Sequence, residues 1–76
     1  MEADVAKMVT SAAVMSVGAF TSATGEAWIA KTALDGMARN PEVADKLFTN
    51  MIVAMALDES TAIYCLVIAL IILFVV

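Results

Sequence analysis

The sequence predicts an all-α membrane protein, a hairpin of two transmembrane helices, and three observations carry that reading. Apolar residues make up 63% of the 76, a share that would leave a small soluble monomer with a greasy surface. Long uncharged stretches flank a polar segment that holds the only proline, Pro41. One cysteine and no histidine supply neither an intrachain disulfide nor a Cys/His zinc site, the usual staples of so short a soluble domain. The better solvent for such a chain is lipid.

The net charge of −4 excludes the basic footprint that nucleic-acid binding requires. Lys7, Lys31, Arg39 and Lys46 are the only basic residues, and acids are interleaved with them. The first residues, Met1-Glu2-Ala3-Asp4, are acidic where a signal or transit peptide would be basic. The hydrophobic segments are therefore expected in the mature protein. A bacterial inner (plasma) membrane is the expected host, with an organellar inner membrane as the other option. Cys65 lies in the most apolar run, where a free thiol behaves as a small hydrophobe.

The first helix is expected over about residues 5–38. Its residues 8–25 carry no charge, enough for a membrane span, although Thr10, Ser11, Ser16, Thr21, Ser22 and Thr24 make it rich in hydroxyls. Beyond Glu26 the helical character continues through Trp28, Ile29, Leu34 and Met37. The loop at 39–43 follows from Asn40-Pro41: the residue before proline is pushed out of the helical region, and proline then suits the first turn of a new helix. The second helix is expected over 44–76 and ends in the unbroken apolar run 62–76. The whole chain, 1–76, is one hairpin. Lys31, Arg39 and Lys46 flank the loop, against Lys7 alone at the far end, so the loop should be cytoplasmic and both termini outside.

Helix 1 carries a second pattern. At about 100° per residue, Ala12, Ser16, Ala19, Ala23, Ala27 and Ala30 share one narrow face. Ser11, Gly18, Thr21 and Gly25 share roughly the opposite one. Small residues let membrane helices approach closely. Two opposed stripes imply a close neighbour on each side, as in a closed ring of identical copies. Helix 2 is bulky on all sides, which suits lipid contact. Helix 1 thus reads as an inner layer and helix 2 as an outer one.

Three acids stand where acids are costly. Glu26, Asp58 and Glu59 sit in the apolar stretches, where an aspartate at a helix centre costs about 2.5–3.5 kcal/mol. Intramembrane ionisable groups are by default a site hypothesis. Residues 26 and 59 are equidistant from 42.5, so a hairpin turning at 41–43 brings them level. Two such carboxylates cannot both stay ionised unaided; one holds a proton, or a cation bridges them. Around Glu59 lie the Ser60 and Thr61 hydroxyls, the Tyr64 phenol and backbone carbonyls, oxygens of the kind hard cations take. Ser60 and Tyr64 point about 100° and 140° away from Glu59, so the oxygens converge only if two adjacent hairpins share the site. The plainer alternative leaves Glu26 at the water interface and has the acids bond to helix 1 hydroxyls. For Asp58 the candidate partners are Thr21, Ser22 and Thr24.

The loop Ala38-Arg39-Asn40-Pro41-Glu42 and the segment Glu59-Ser60-Thr61-Ala62-Ile63-Tyr64-Cys65-Leu66-Val67-Ile68-Ala69-Leu70 resemble the c-subunit, or proteolipid, of F-type ATP synthases. The likeness runs over residues 18–74, and Glu-Ser-Thr-x-Ile-Tyr is specific to the sodium-translocating subset. The resemblance implies a rotating ring of identical hairpins, each carrying one ion. It makes Glu59 the ion carrier and Glu26 its partner. Ser60 would give a hydroxyl and Leu57 its backbone carbonyl from the neighbouring protomer; Thr61 would hold a water, and Tyr64 would lock the carboxylate. Arg39, Asn40 and Pro41 would meet the gamma and epsilon subunits of the central stalk, while the stator a-subunit would supply an arginine counter-charge. No cofactor is implied, only a transported Na⁺ or H⁺, and no catalysis by the chain itself. The oxygen count favours Na⁺. Three departures stand out. The family's alternating helix 1 glycines are here Ala19, Thr21, Ala23, Gly25 and Ala27; Glu26 stands where some sodium rotors carry Gln and others Glu; and Asp58, a candidate accessory group, has no counterpart.

The rival classes are a small oligomeric pore-forming protein and a regulatory two-span membrane peptide. A pore former would typically carry a charged tail, whereas this sequence closes on Leu73-Phe74-Val75-Val76. Native mass in mild detergent separates the classes. The rotor reading expects a stable ring of about ten or more copies, and a dimer would defeat it.

Overall fold

A computed structural model describes residues 2–76; Met1 lies outside the described residues. Helix α1 spans Ala3–Arg39 and helix α2 spans Ala44–Phe74, joined by a single 3-10 turn, Pro41–Val43. At 1.5 Å per residue they are about 55 and 46 Å long, against a hydrocarbon core of about 30 Å. Both are long and apolar enough to cross a membrane. They lie side by side in a slab of 58 × 17 × 7 Å. Among the described residues there is no strand. The hairpin expected from the sequence is the fold that forms.

The reversal is local chemistry. Asn40 leaves the helical region at φ −140°, ψ 78°, and its N–H still closes α1 by donating to the Gly36 carbonyl at 2.9 Å. Pro41, with φ fixed by its ring and no N–H to satisfy, opens the 3-10 turn. The Val43 N–H donates to the Asn40 carbonyl at 3.2 Å, and α2 begins at the next residue. Arg39 at the end of α1 and Asp45 in the first turn of α2 each suit the local helix dipole.

The two helices meet along a seam of small residues. All three glycines of the chain lie on α1 and face α2: Gly18 meets Cys65, Gly25 meets Asp58 and Gly36 meets Leu47. These pairs share one register, mirrored about a point between residues 41 and 42. Gly18 and Gly36 are eighteen residues apart, about five whole turns, and so lie on the same line of the helix. The buried residues are Ser11, Gly18 and Ser22 on α1 and Ala62 and Ala69 on α2. Ser11 donates its hydroxyl to the Ala69 carbonyl at 3.3 Å. Thr21 departs from its expected place on this face. It is exposed and bonds back to the Val17 carbonyl at 2.7 Å. Measured from Gly18, Ser22 lies about 40° off the line and Thr21 about 60° on the other side, so Ser22 enters the seam instead.

Almost nothing bulky is buried. Phe20, Trp28, Phe48, Tyr64 and Phe74 are each more than half exposed, and the hairpin presents 5516 Å² of surface. A compact soluble protein of this mass would present about 4,500 Å². A chain that hides only glycine, serine and alanine is an integral membrane protein, its large side chains left for lipid or for other chains. Of the second small stripe, Ala12, Ser16, Ala19, Ala23 and Ala27 remain exposed and Ala30 is half-buried.

The seam predicts unequal responses to one added methyl. At Gly18 it would lie 2.5 Å from Cys65 Sγ and 2.7 Å from its Cβ; at Gly36 it would lie 3.2 Å from the mobile end of Leu47. Gly18→Ala should cost about 1–2 kcal/mol in reversible unfolding in detergent, followed by helical circular dichroism. Gly36→Ala should be neutral or gain a few tenths from helix propensity.

Candidate functional site

Two helical steps set the site. Glu26 follows Gly25 on α1, and Glu59 follows Asp58 on α2. Because successive helical residues diverge by about 100°, the first member of each pair enters the seam and the second stands at its edge. Glu26 is half-buried, Glu59 is exposed, and their carboxyl groups come within hydrogen-bonding reach of each other. Ser22, one turn before Glu26, donates to Glu26 Oε1 at 3.4 Å and to the Asp58 carbonyl at 3.3 Å.

Asp58 behaves differently from its neighbour. Its carboxyl packs against the bare Cα of Gly25, where a methyl group would stand 2.7 Å from Oδ2. That oxygen is shut off from solvent without a hydrogen-bond partner. None of the three helix 1 hydroxyls considered for it reaches its carboxyl. Ser22 takes the backbone carbonyl instead, while Thr21 and Thr24 bond to the Val17 and Phe20 carbonyls of their own helix, both at 2.7 Å. The cause is length and direction: a threonine hydroxyl in a helix reaches the carbonyl one turn back more readily than a neighbouring helix.

The other oxygens face outward. Ser60 donates its hydroxyl to the Leu57 carbonyl, which groups both oxygens on one patch of α2 and leaves lone pairs on each. Leu57, Thr61 and Tyr64 lie on the exposed surface, Tyr64 at 72%. Among the described residues no three acidic or sulfur side chains converge as a metal cluster. Nearer the loop, an open apolar groove of about 370 Å³ runs between Trp28 and Ile29 on α1 and Leu47 and Met51 on α2, and no ionisable group lines it. At the tip, Arg39, Asn40 and Pro41 are exposed, and Arg39 Nε donates to the Asp35 carbonyl at 3.4 Å. Sequence reasoning did not single out Ser22 as a neighbour of Glu26. The available signal was the spacing of four, which stacks two side chains on a helix face.

Fold and site together define an integral membrane hairpin with paired carboxylates at one depth. The chain belongs to the ATP synthase c-subunit family, whose model matches residues 9–72. It is 46% identical over 69 residues to the ATP synthase c-subunit of Petrotoga mobilis, covering 91% of this chain and 72% of that protein. The likeness to the ATP synthase c-subunit of Dehalococcoides mccartyi is 41% over 75 residues, 99% of each chain. With the ATP synthase c-subunit 1 of Pelobacter propionicus it is 47% over 60 residues, 79% of this chain and 66% of that one.

The Gly25–Asp58 contact is open to a double-mutant cycle. Gly25→Ala should destabilise the hairpin in detergent by about 1–3 kcal/mol. Asp58→Ala, which frees the space and removes the unpartnered oxygen, should be neutral or stabilising. Combined, the two should fall short of the sum of their separate effects by about 1 kcal/mol or more.

Proposed function

We propose that this chain is the rotor protein of the membrane Fo sector of an F-type ATP synthase, and that it carries Na⁺ on the Glu59 carboxylate beside a protonated Glu26. The observation that carries the reading is the approach of those two carboxyls from opposite helices, in a chain of the c-subunit family. Identical hairpins assemble as a ring, with α1 inside and α2 outside. The exposed small stripe of α1 (Ala12, Ser16, Ala19, Ala23 and Ala27) supports that packing. The chain performs no chemistry and needs no cofactor; the ion is cargo.

Glu59 is the carrier and Glu26 its partner. A second hairpin brings its Leu57 carbonyl and Ser60 hydroxyl to the site. The intrahelical bond between those groups occupies the hydroxyl proton and leaves oxygen lone pairs for a cation, which is what a hard metal ion takes. Thr61 holds a coordinating water and Tyr64 closes over the carboxylate. Their exposure on a single hairpin is what a site completed by a neighbour requires. With Na⁺ on Glu59 and a proton on Glu26 the site is neutral and crosses lipid at little cost; emptied and charged it cannot. An arginine of the stator a-subunit would meet the empty carboxylate and let the ion leave. Arg39, Asn40 and Pro41, exposed at the turn, contact the gamma and epsilon subunits on the cytoplasmic side of a bacterial plasma membrane.

Carbodiimide modification tests the assignment, because the reagent attacks a protonated carboxyl. Labelling should fall on Glu59, and Na⁺ at millimolar concentration should slow it by about tenfold or more, the signature of a cation displacing the proton. Absence of protection by Na⁺ at every pH would sink the sodium reading and leave H⁺ as the cargo.

A further inference from the structure

We infer that Ser22 is a positioning residue of the ion site, its hydroxyl tying the Glu26 carboxylate to the peptide unit that carries Glu59. The inference rests on the ion-carrier reading above. Ser22 is 3% exposed, the least accessible polar side chain of the described hairpin, and its Oγ has two acceptors and one proton. One acceptor is Glu26 Oε1 at 3.4 Å; the other is the Asp58 carbonyl at 3.3 Å. That carbonyl belongs to the peptide bond between Asp58 and Glu59. A single hydroxyl therefore touches the carboxylate-bearing residue of α1 and the backbone from which the carboxylate of α2 departs.

The two distances are nearly equal, and both exceed the 2.7–2.8 Å usual for O–H···O bonds. The hydroxyl is thus placed between its acceptors rather than committed to one. The other seam hydroxyl does something simpler: Ser11 has one acceptor, the Ala69 carbonyl, and joins the helices about four turns from Glu26. Thr21 and Thr24, close to Ser22 in sequence, direct their hydroxyls to their own helix. Of the hydroxyls in this part of α1, Ser22 alone bridges a carboxylate to the other helix. Because both contacts lie within one hairpin, half of the site is held in place before any neighbour arrives. A donor fixed beside the Glu26 carboxyl in a buried seam narrows its rotamers and lowers the ordering cost of ion capture.

The test compares the parent with Ser22→Ala and Ser22→Cys as full-length oligomers in mild detergent, by carbodiimide labelling of Glu59 across a Na⁺ titration. The cysteine fills the space of the serine but donates weakly. Both variants should raise the half-protecting Na⁺ concentration about fivefold, the scale of one lost hydrogen bond, with helicity and oligomer mass unchanged. A cysteine variant that matches the parent while alanine does not would make Ser22 a packing residue and overturn the proposal. So would two variants that both match the parent. If Na⁺ protects none of the three, the sodium reading fails by itself. Ser22 is then judged on the labelling rate without Na⁺, which both substitutions should change about threefold and which an uninvolved residue would leave alone. If alanine prevents assembly, the cysteine variant carries the comparison.

Discussion

Everything in this hairpin depends on how closely two helices approach when almost nothing stands between them. In lipid no water is released by bringing apolar faces together, so association rests on van der Waals contact and interhelical hydrogen bonds, and both need short separations. The seam meets that need with glycine on α1 at three points and with serine hydroxyls that reach the carbonyls of α2. Backbone carbonyls already bonded within a helix keep a second lone pair, so the serines add interhelical bonds without breaking the ladder. The same closeness brings the Glu26 and Glu59 carboxyls, level by their count from the loop, within reach of each other. A looser pair of helices would hold two separate acids.

The seam also sorts the acids. Asp58 and Glu59 are consecutive and chemically alike, yet one is directed into the hairpin and the other toward its outer edge, because neighbours on a helix diverge by about 100°. Glycine at position 25 is what lets the aspartate in. Its Oδ2 is shut off from solvent and has no hydrogen-bond partner. Glu59 keeps a partner carboxyl and an open side. Rotation about the helix axis, rather than side-chain chemistry, decides which acid enters the seam and which keeps an open side.

Much of this is written in the sequence at the scale of whole elements. Hairpin, turn and the common depth of Glu26 and Glu59 follow from charge-free length, the Asn40-Pro41 pair and counting from the loop. What could not be read is the phase of the seam. Counting at about 100° per residue places Thr21 and Ser22 on neighbouring sectors, and without the contact line neither has precedence. A line through Gly18 gives the seam to Ser22 and sends Thr21 back to its own helix. The candidate partners of Asp58 suffered from the same gap. Three hydroxyls lay close enough in sequence, but which one faces α2, and whether it finds a side chain or a carbonyl there, depends on a few tens of degrees. The small face through Gly18 and Gly25 is legible in the sequence, but what fills each notch, Cys65 or Asp58, is not.

The division of surface follows from the division of size. Because the fully buried residues of the seam are glycine, serine and alanine, the aromatic and most branched residues face outward, and the hairpin alone exposes more surface than a compact protein of its mass. Two outward faces then differ in kind. One on α1 is lined by alanine and serine and invites another helix as close as α2 already is; the bulk of α2 is leucine, isoleucine and valine and is satisfied by lipid tails. The oxygens of Leu57, Ser60, Thr61 and Tyr64 lie on α2 next to the carboxylate edge, where hydrocarbon would leave them unsatisfied. A polar cluster at that place is tolerable in a membrane only if a second protein surface or an ion covers it. In the proposed rotor a neighbouring hairpin, with an ion held between the two, would supply both, and the closeness that builds one hairpin would set the terms on which the next is added.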